Sequence, residues 1–337
     1  MRVISTTGYF ASGSSAITDL MREYSSVEEP GGCDFEISFF FGYHGLLNLL
    51  YWLVDQKYHQ RLAVNDFWEE AKFRARFGTR MNYQKYFDGS FLEITSKYLD
   101  QIHGTSCGEK WFIDWMKLSG AQVTINRVIN KFYSVSNEIY NSRHTDRREK
   151  SLSVFGKKEN NYLYDISEED FLNASKQYLH SLFSYVRNGK DIVFADGLIG
   201  THNIDDISKF FDDLRLTVVD RDPRDVYLSD MYVNQNYSVP KDVEKYCEWF
   251  RLRHTSYSCD NSNVLFLHFE DMIYDYENTV KQIEEFFGVS SKDHIFKEKF
   301  FIPDRSRNNT RLWEKYPQEC ENMRYIEEHL SQWIYRY

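Results

Sequence analysis

The sequence predicts an α/β protein, with a central parallel sheet flanked by helices, a phosphate-type loop after the first strand and a large helical insertion. Three observations predict it. Residues 2–7 (Arg-Val-Ile-Ser-Thr-Thr) are short and β-prone, Gly8 breaks them, and a helical pattern opens at Ser14. Further β-prone runs come at residues 191–195, 214–219 and 264–268. Helical patterns follow the last two, from Val226 onward and over residues 277–287, and strands that alternate with helices argue for a parallel sheet.

The first helix is marked by Ile17, Leu20 and Met21 at i, i+3 and i+4. Residues 37–54 carry no formal charge and approach the length of a membrane span. They also contain Ser38, Gly42, Tyr43, His44, Gly45, Asn48 and Tyr51, so they read as a loop followed by a buried helix. Residues 45–190 are mainly helical, with Phe67, Ala71, Phe73 and Phe77, then Phe171, Tyr178, Leu182, Phe183 and Val186, at helical spacing. Within them, residues 141–161 are polar and charge-dense (Arg143, Arg147, Arg148, Lys150, Lys157, Lys158), as a solvated connection or a basic lip over an anionic ligand would be. A last helix is expected over residues 321–335. No repeat or low-complexity linker divides the 337 residues, so a single unit spanning 1–337 is expected, with 45–190 inserted into it as the acceptor site.

Composition narrows the function. Aromatic residues make up 17% of the chain, enough for a ring-rich core. The net charge of −10 argues against general nucleic-acid binding, because no basic excess is present to neutralise a phosphate backbone. A small anionic ligand needs only a local positive site. The cysteines, Cys33, Cys107, Cys247, Cys259 and Cys320, are scattered and never spaced C-x-x-C. They suggest neither a disulfide framework nor a metal site, and with no leader pattern after Met1 the expectation is a cytoplasmic protein with reduced thiols. Nothing in the sequence speaks to the oligomeric state.

The first candidate site is Gly8-Tyr9-Phe10-Ala11-Ser12-Gly13-Ser14-Ser15. Gly8 and Gly13 open conformations closed to other residues. Such a turn aims successive N–H groups into one concavity at a helix start, and the hydroxyls of Ser12, Ser14 and Ser15 add donors. The spacing is that of G-x-x-x-x-G-K-[ST] except that Ser14 stands where a nucleoside triphosphatase carries lysine. Without that cation, chemistry at the β- and γ-phosphates loses its anchor. Ser14 can equally be the cap of the following helix.

The second candidate site is Arg221-Asp222-Pro223-Arg224-Asp225-Val226-Tyr227-Leu228-Ser229. A strand ends at its start, Asp222 can cap the next helix, Pro223 suits the first turn, and Asp225 sits three residues after the cap. Arg221 then stands at the carboxyl end of a strand, where ligands bind in open α/β sheets, with Ser229 two turns along the helix. A guanidinium and a hydroxyl converging there suit a second phosphate.

Together the two sites resemble the sulfotransferase family that uses 3′-phosphoadenosine 5′-phosphosulfate (PAPS). In that family an early P-loop-like segment holds the 5′-phosphosulfate, and a later R-[DN]-P-x-D-x-x-x-S turn holds the 3′-phosphate. Residues 221–229 fit that form at every defined position. Phe266-Leu267-His268-Phe269-Glu270-Asp271-Met272, and further on Phe286-Phe287-Gly288-Val289, look like the family's YEDL and FLGL segments. Ser306-Arg307-Asn308-Asn309-Thr310-Arg311-Leu312-Trp313 is similar to the loop that closes over the nucleotide. The resemblance covers residues 2–37 and 191–315, and it implies a P-loop-like sulfotransferase fold, PAPS as co-substrate, PAP as product and no metal.

One departure stands out. Where the family's early loop has lysine or arginine, this chain has Ala11, and Arg307, Arg311 and Lys315 are the candidates to supply the missing charge. Glu36-Ile37-Ser38-Phe39-Phe40 resembles the E-x-x-F-F of the carbohydrate-acting branch. The resemblance therefore implies a sugar or glycan acceptor, as in polysaccharide biosynthesis, with Glu36 as general base. The apolar run beside Glu36 would raise its pKa towards a useful value. His44 is the second candidate base, and His202 is similar to the histidine of a Thr-His pair in the family. Two other readings stay open: a P-loop nucleotide kinase, and a PAP-binding protein without catalysis, as the missing cation would allow.

Overall fold

The computed structural model describes residues 1–29, 37–76, 82–108, 116, 118–143, 154–155, 161–235, 237–254 and 261–337. Its strands are β1 (Arg2–Gly8), β2 (Val27–Glu28), β3 (Thr105–Gly108), β4 (Asn161–Leu163), β5 (Ile192–Asp196), β6 (Leu214–Asp220) and β7 (Val264–His268). Five of them form one sheet in the order β2-β5-β1-β6-β7, and every neighbouring pair in it is parallel. The predicted α/β class and the four longer strands are those observed. The two-residue β2 and the antiparallel pair β3–β4 were not foreseen, being too short for an alternation to register.

β1 lies at the centre, with five consecutive buried residues. β5 and β6 reach its two sides by crossovers that run in opposite directions, so the strand order reverses at β1. That reversal opens a crevice beyond the carboxyl ends of the strands. The register brings Thr6 of β1 beside Asp196 of β5, Gly8 beside Val219 of β6, and Asp220 beside His268 of β7. Four chain segments therefore enter loops at the same edge of the sheet.

The helix Ser15–Met21 buries Ile17, Leu20 and Met21 as expected. The uncharged run forms a loop, then the helix Leu46–Leu50 and one wide turn at Tyr51–Asp55, burying Leu46, Leu49, Leu50 and Leu53. No helix among the described residues is long and apolar enough to cross a membrane. The helices Gln60–Arg74, Phe91–Gln101 and Glu168–Val186 pack a ring-rich cluster. It joins Phe39, Phe40, Phe67, Phe91, Phe171 and Phe183 to Val3, Val193 and Leu216 of the sheet. Phe73 departs from the predicted face and is about half exposed, and Phe77 lies outside the described residues. The last helix is shorter than expected. It spans Cys320–His329 and gives way to a single tighter turn at Ser331–Trp333.

One buried carboxylate secures this frame behind the first helix. Glu23 is fully buried, and its oxygens accept from His294 Nε2 at 2.7 Å and from the backbone N–H of Glu298, Phe300 and Phe301 at 3.1, 2.8 and 2.9 Å. A single side chain thus satisfies three amides of a segment with no regular structure of its own. Glu23→Ala would strand those donors out of water, and it is expected to lower the stability by about 3–5 kcal/mol. The check is a fall in the urea midpoint with an unchanged denaturant slope.

Candidate functional site

The loop after β1 is shaped by two different uses of glycine. Gly13 has φ +86°, and a Cβ there would lie 2.7 Å from the Phe269 ring, so both conformation and space require glycine. Gly8 has no such backbone demand: a Cβ there would meet Ser12 Oγ at 2.0 Å, so the requirement is room for a neighbour. The remaining left-handed residue is Ala11, with φ 57°. Its carbonyl accepts from Arg221 Nη1 at 3.1 Å. Ser14 occupies the cap position in helical conformation, and its side chain makes no capping hydrogen bond.

A cavity of about 710 Å³ lies over the strand ends. Its walls include Gly8, Ala11, Ser12, Gly13, Ser14 and Ser15 of the loop, and Arg221 and Ser229 of the second candidate site. Ser38, Phe41 and Gly42 line it where the chain leaves for the insertion, and Ser306 and Asn309 also line it. The two sequence sites, more than 200 residues apart, thus face one volume of the size that small ligands occupy.

Arg221 is the fixed cation of that volume and is 4% exposed. Its Nη2 donates to Asn309 O, its guanidinium lies 5.2 Å from the Phe269 ring centre, and its buried Nε has no partner. An unpaired buried donor on a cation calls for an explanation, and a bound anion near the guanidinium is one. Ser229 is buried, shares the lining, and accepts from Asn234 Nδ2 at 3.2 Å.

The turn around Arg221 is built partly as expected. Asp222 caps the helix Pro223–Leu228, accepting from the N–H of Arg224, with Pro223 in the first turn. The reciprocal bond expected of Asp225 is made by Glu270, whose Oε1 accepts from the N–H of Asp222 at 2.9 Å. Asp225 instead accepts from the N–H groups of Arg311 and Leu312 at 3.0 and 2.7 Å and from the Tyr337 hydroxyl at 2.9 Å. It ties the closing segment to the turn. Arg224 turns away from the cavity, paired with Asp222 at 2.6 Å and stacked 3.8 Å from the Trp313 ring centre.

Burial dominates the local electrostatics. It pushes the Asp225 carboxyl up to about 6, against the opposing pull of Arg221. It pushes Glu270 up to about 8, opposed by the bond from Asp222 and again by Arg221. Glu270 Oε2 is buried without a partner.

Other expected residues lie elsewhere. Arg307 and Arg311 are not in the cavity lining. Arg307 is 3.6 Å from Asp304 and lies over the Tyr274 ring, and Arg311 lies 4.5 Å from the Tyr337 ring centre. Lys315 donates to Asn308 O. His44 is 3.8 Å from Asp66, and neither it nor His202 lines the cavity. Glu36 lies outside the described residues, as do Arg147, Arg148, Lys150, Lys157 and Lys158. Among the described lining residues Arg221 is the only lysine or arginine.

Sequence reasoning missed two lining carboxylates, Asp19 and Asp196. Asp19 pairs with Arg22 at 3.1 Å, and burial raises its pKa while Arg22 opposes the shift. Asp196 ends β5, and its place was readable: residues 191–195 were the predicted strand, and the next residue is at its carboxyl end. Phe269 and Glu270 were noted only as part of a longer match.

A family model described as "Sulfotransferase family" matches residues 7–293, well over half of the chain. No curated protein matches the sequence.

Glu270 makes the pH dependence testable. Its folded pKa is raised above its unfolded value, so the folded state holds the proton more tightly. That contribution is full below about 4.5 and is lost as the pH rises through about 8. Glu270→Gln keeps the acceptor for Asp222 and removes the ionisation. At pH 8 it is expected to raise stability by on the order of 1–3 kcal/mol and to flatten the fall of the urea midpoint between pH 5 and 8. A smaller slope from Asp225 remains in the variant.

Proposed function

The chain belongs to the sulfotransferase family, and from that premise we propose that it transfers a sulfuryl group from PAPS to a hydroxyl or amine of a sugar or glycan. The observation that carries the donor is Arg221: a buried guanidinium in the cavity wall, with one N–H unpaired and the Ser229 hydroxyl in the same lining. The loop 8–15 lines the same cavity. An anion at each end of a nucleoside would match this pair of sites, which ATP would not. The scattered cysteines, none spaced C-x-x-C, support the reading of a cytoplasmic enzyme.

In the transfer, the acceptor oxygen or nitrogen bonds to sulfur as the bond from sulfur to the bridging phosphate oxygen breaks, and PAP leaves. The acceptor proton passes to a carboxylate. Glu36 is the proposed base, from its E-x-x-F-F setting and the neighbouring Ser38, Phe41 and Gly42, which line the cavity. Those residues lead into the insertion 45–190, which is taken to hold the acceptor.

A second reading, a PAP-binding protein without turnover, is favoured by one observation. The described lining offers no lysine or arginine besides Arg221, and that guanidinium already donates to two carbonyls. Incubation with sulfur-labelled PAPS and a panel of sugars decides between them, since label transfer occurs only in the first.

Calorimetric titration tests the donor. PAP is expected to bind more tightly than AMP, and Arg221→Ala to weaken PAP by about tenfold or more, some 1.4 kcal/mol. Titration unchanged in the variant would remove Arg221 from the site. For the base, Glu36→Gln is expected to abolish transfer with PAP binding retained, and Asp196→Asn to leave measurable turnover. The reverse outcome would move the role to Asp196.

A further inference from the structure

The 22-residue helix Gly120–Asn141 carries its apolar residues on the outside. Ile125, Val128, Phe132, Val135 and Ile139 are between 44% and 75% exposed, although they form a continuous stripe. The orientation is fixed from the other side. Asn126 and Asn137 are buried, and Asn126 donates to Phe155 O at 3.0 Å while its own oxygen accepts from the N–H of Val154 and Phe155 at 3.0 and 3.1 Å. A helix held by three hydrogen bonds from a buried asparagine cannot turn its apolar stripe inward without breaking them.

The spacing of the stripe identifies its use. The intervals run 3, 4, 3, 4, the a and d positions of a heptad, which make the seam between two supercoiled helices. Of the residues flanking the seam, Thr124, Lys131, Ser136 and Glu138 are polar and Ile129 is apolar. We propose that this helix pairs antiparallel with the same helix of a second copy of the chain, across a two-fold axis.

Charge selects the register. With Phe132 opposite Val135 of the second copy and Val128 opposite Ile139, four apolar layers form, and Lys131 of each helix faces Glu138 of the other, twice by symmetry. Moving the helices by one heptad step, to set Val128 opposite Phe132, brings Lys131 against its own copy. A parallel pair leaves Lys131 opposite Ser136. Neither Lys131 nor Glu138 has an ion-pair partner among the described residues, so both charges are available to the interface. In this register the apolar layers run from Val128 to Ile139, roughly 17 Å along the axis, which suits a concentration-dependent dimer better than an obligate one.

Sedimentation of the full chain tests the proposal. The mass is expected to rise from 40.4 kDa towards twice that value as the concentration increases from about 1 to about 100 µM. Phe132→Glu should hold it at the monomer with the circular dichroism unchanged. Lys131→Glu and Glu138→Lys should each weaken the dimer by about tenfold, and the two together should restore it to within about threefold. These charge variants sit on the exposed face, so they decide the matter even if Phe132→Glu does not fold. A monomer at every concentration, or a double variant that fails to restore pairing, overturns the proposal. So does flotation of a monomer with anionic phospholipid vesicles that Phe132→Glu abolishes, which would assign the stripe to a membrane surface.

Discussion

The site depends on one buried cation. Arg221 joins parts of the chain that share no secondary structure: it donates to the carbonyl of Ala11 in the early loop and to that of Asn309 in the closing segment, and it lies over Phe269 after β7. Taking a guanidinium out of water costs several kcal/mol unless its donors and its charge are matched. Carbonyls match donors but carry no full charge, and the nearby carboxylates of Asp225 and Glu270 are pushed by burial towards their neutral forms. Glu270, pushed up to about 8, then gives Arg221 little counter-charge at neutral pH, while Asp225, pushed only to about 6, still does. A bound anion facing the guanidinium would add negative charge to it. The same residue that ties the loops together would then report whether the cavity is filled.

The segments around the cavity have little regular structure, and buried carboxylates hold them. Glu23 gathers three amides of the run that ends at Phe301, Glu270 takes the amide of Asp222, and Asp225 takes those of Arg311 and Leu312. In each case one side chain does what a strand partner would otherwise do for a ladder of N–H groups. This arrangement lets loops approach the strand ends closely and from several directions. It also makes their geometry depend on protonation wherever burial has raised a pKa, as at Glu270 and Asp225.

The parts of this design that are local in sequence could be read from it. β1, β5, β6 and β7 stand as period and turn residues predict, and Asp222 with Pro223 forms the expected helix start. The relation between the two sites was legible only because each followed a strand, and strand ends in a parallel sheet share one edge. What could not be read was partnership across the chain. Asp225 looked like a local capping residue because its spacing suited one, but the amides it serves lie more than 80 residues away. Glu23 carries no motif at all, since its partners belong to a segment without periodicity. Arg307 and Arg311 were drawn by charge and position in a loop, yet the cavity takes Ser306 and Asn309 from that loop, because the turns there point the arginines at the rings of Tyr274 and Tyr337. Asp196 was passed over although the predicted strand ended beside it.

The position of Ala11 shows how the loop can do without its own cation. In left-handed conformation the residue delivers a carbonyl to Arg221. A lysine side chain at this point would add a second positive charge close to a guanidinium that is already buried. The described walls of the cavity instead pair one cation with the carboxylates of Asp19 and Asp196, in a chain of net charge −10. A dianionic ligand bound there would be held less by bulk attraction than by directed donors: the loop N–H groups, the hydroxyls of Ser12, Ser14, Ser15 and Ser229, and the Arg221 guanidinium. Hydrogen bonds of fixed direction discriminate by geometry where a field of lysines would discriminate by charge alone. The absence of a lysine thus bears first on turnover, which needs charge at the leaving oxygen, and only second on recognition.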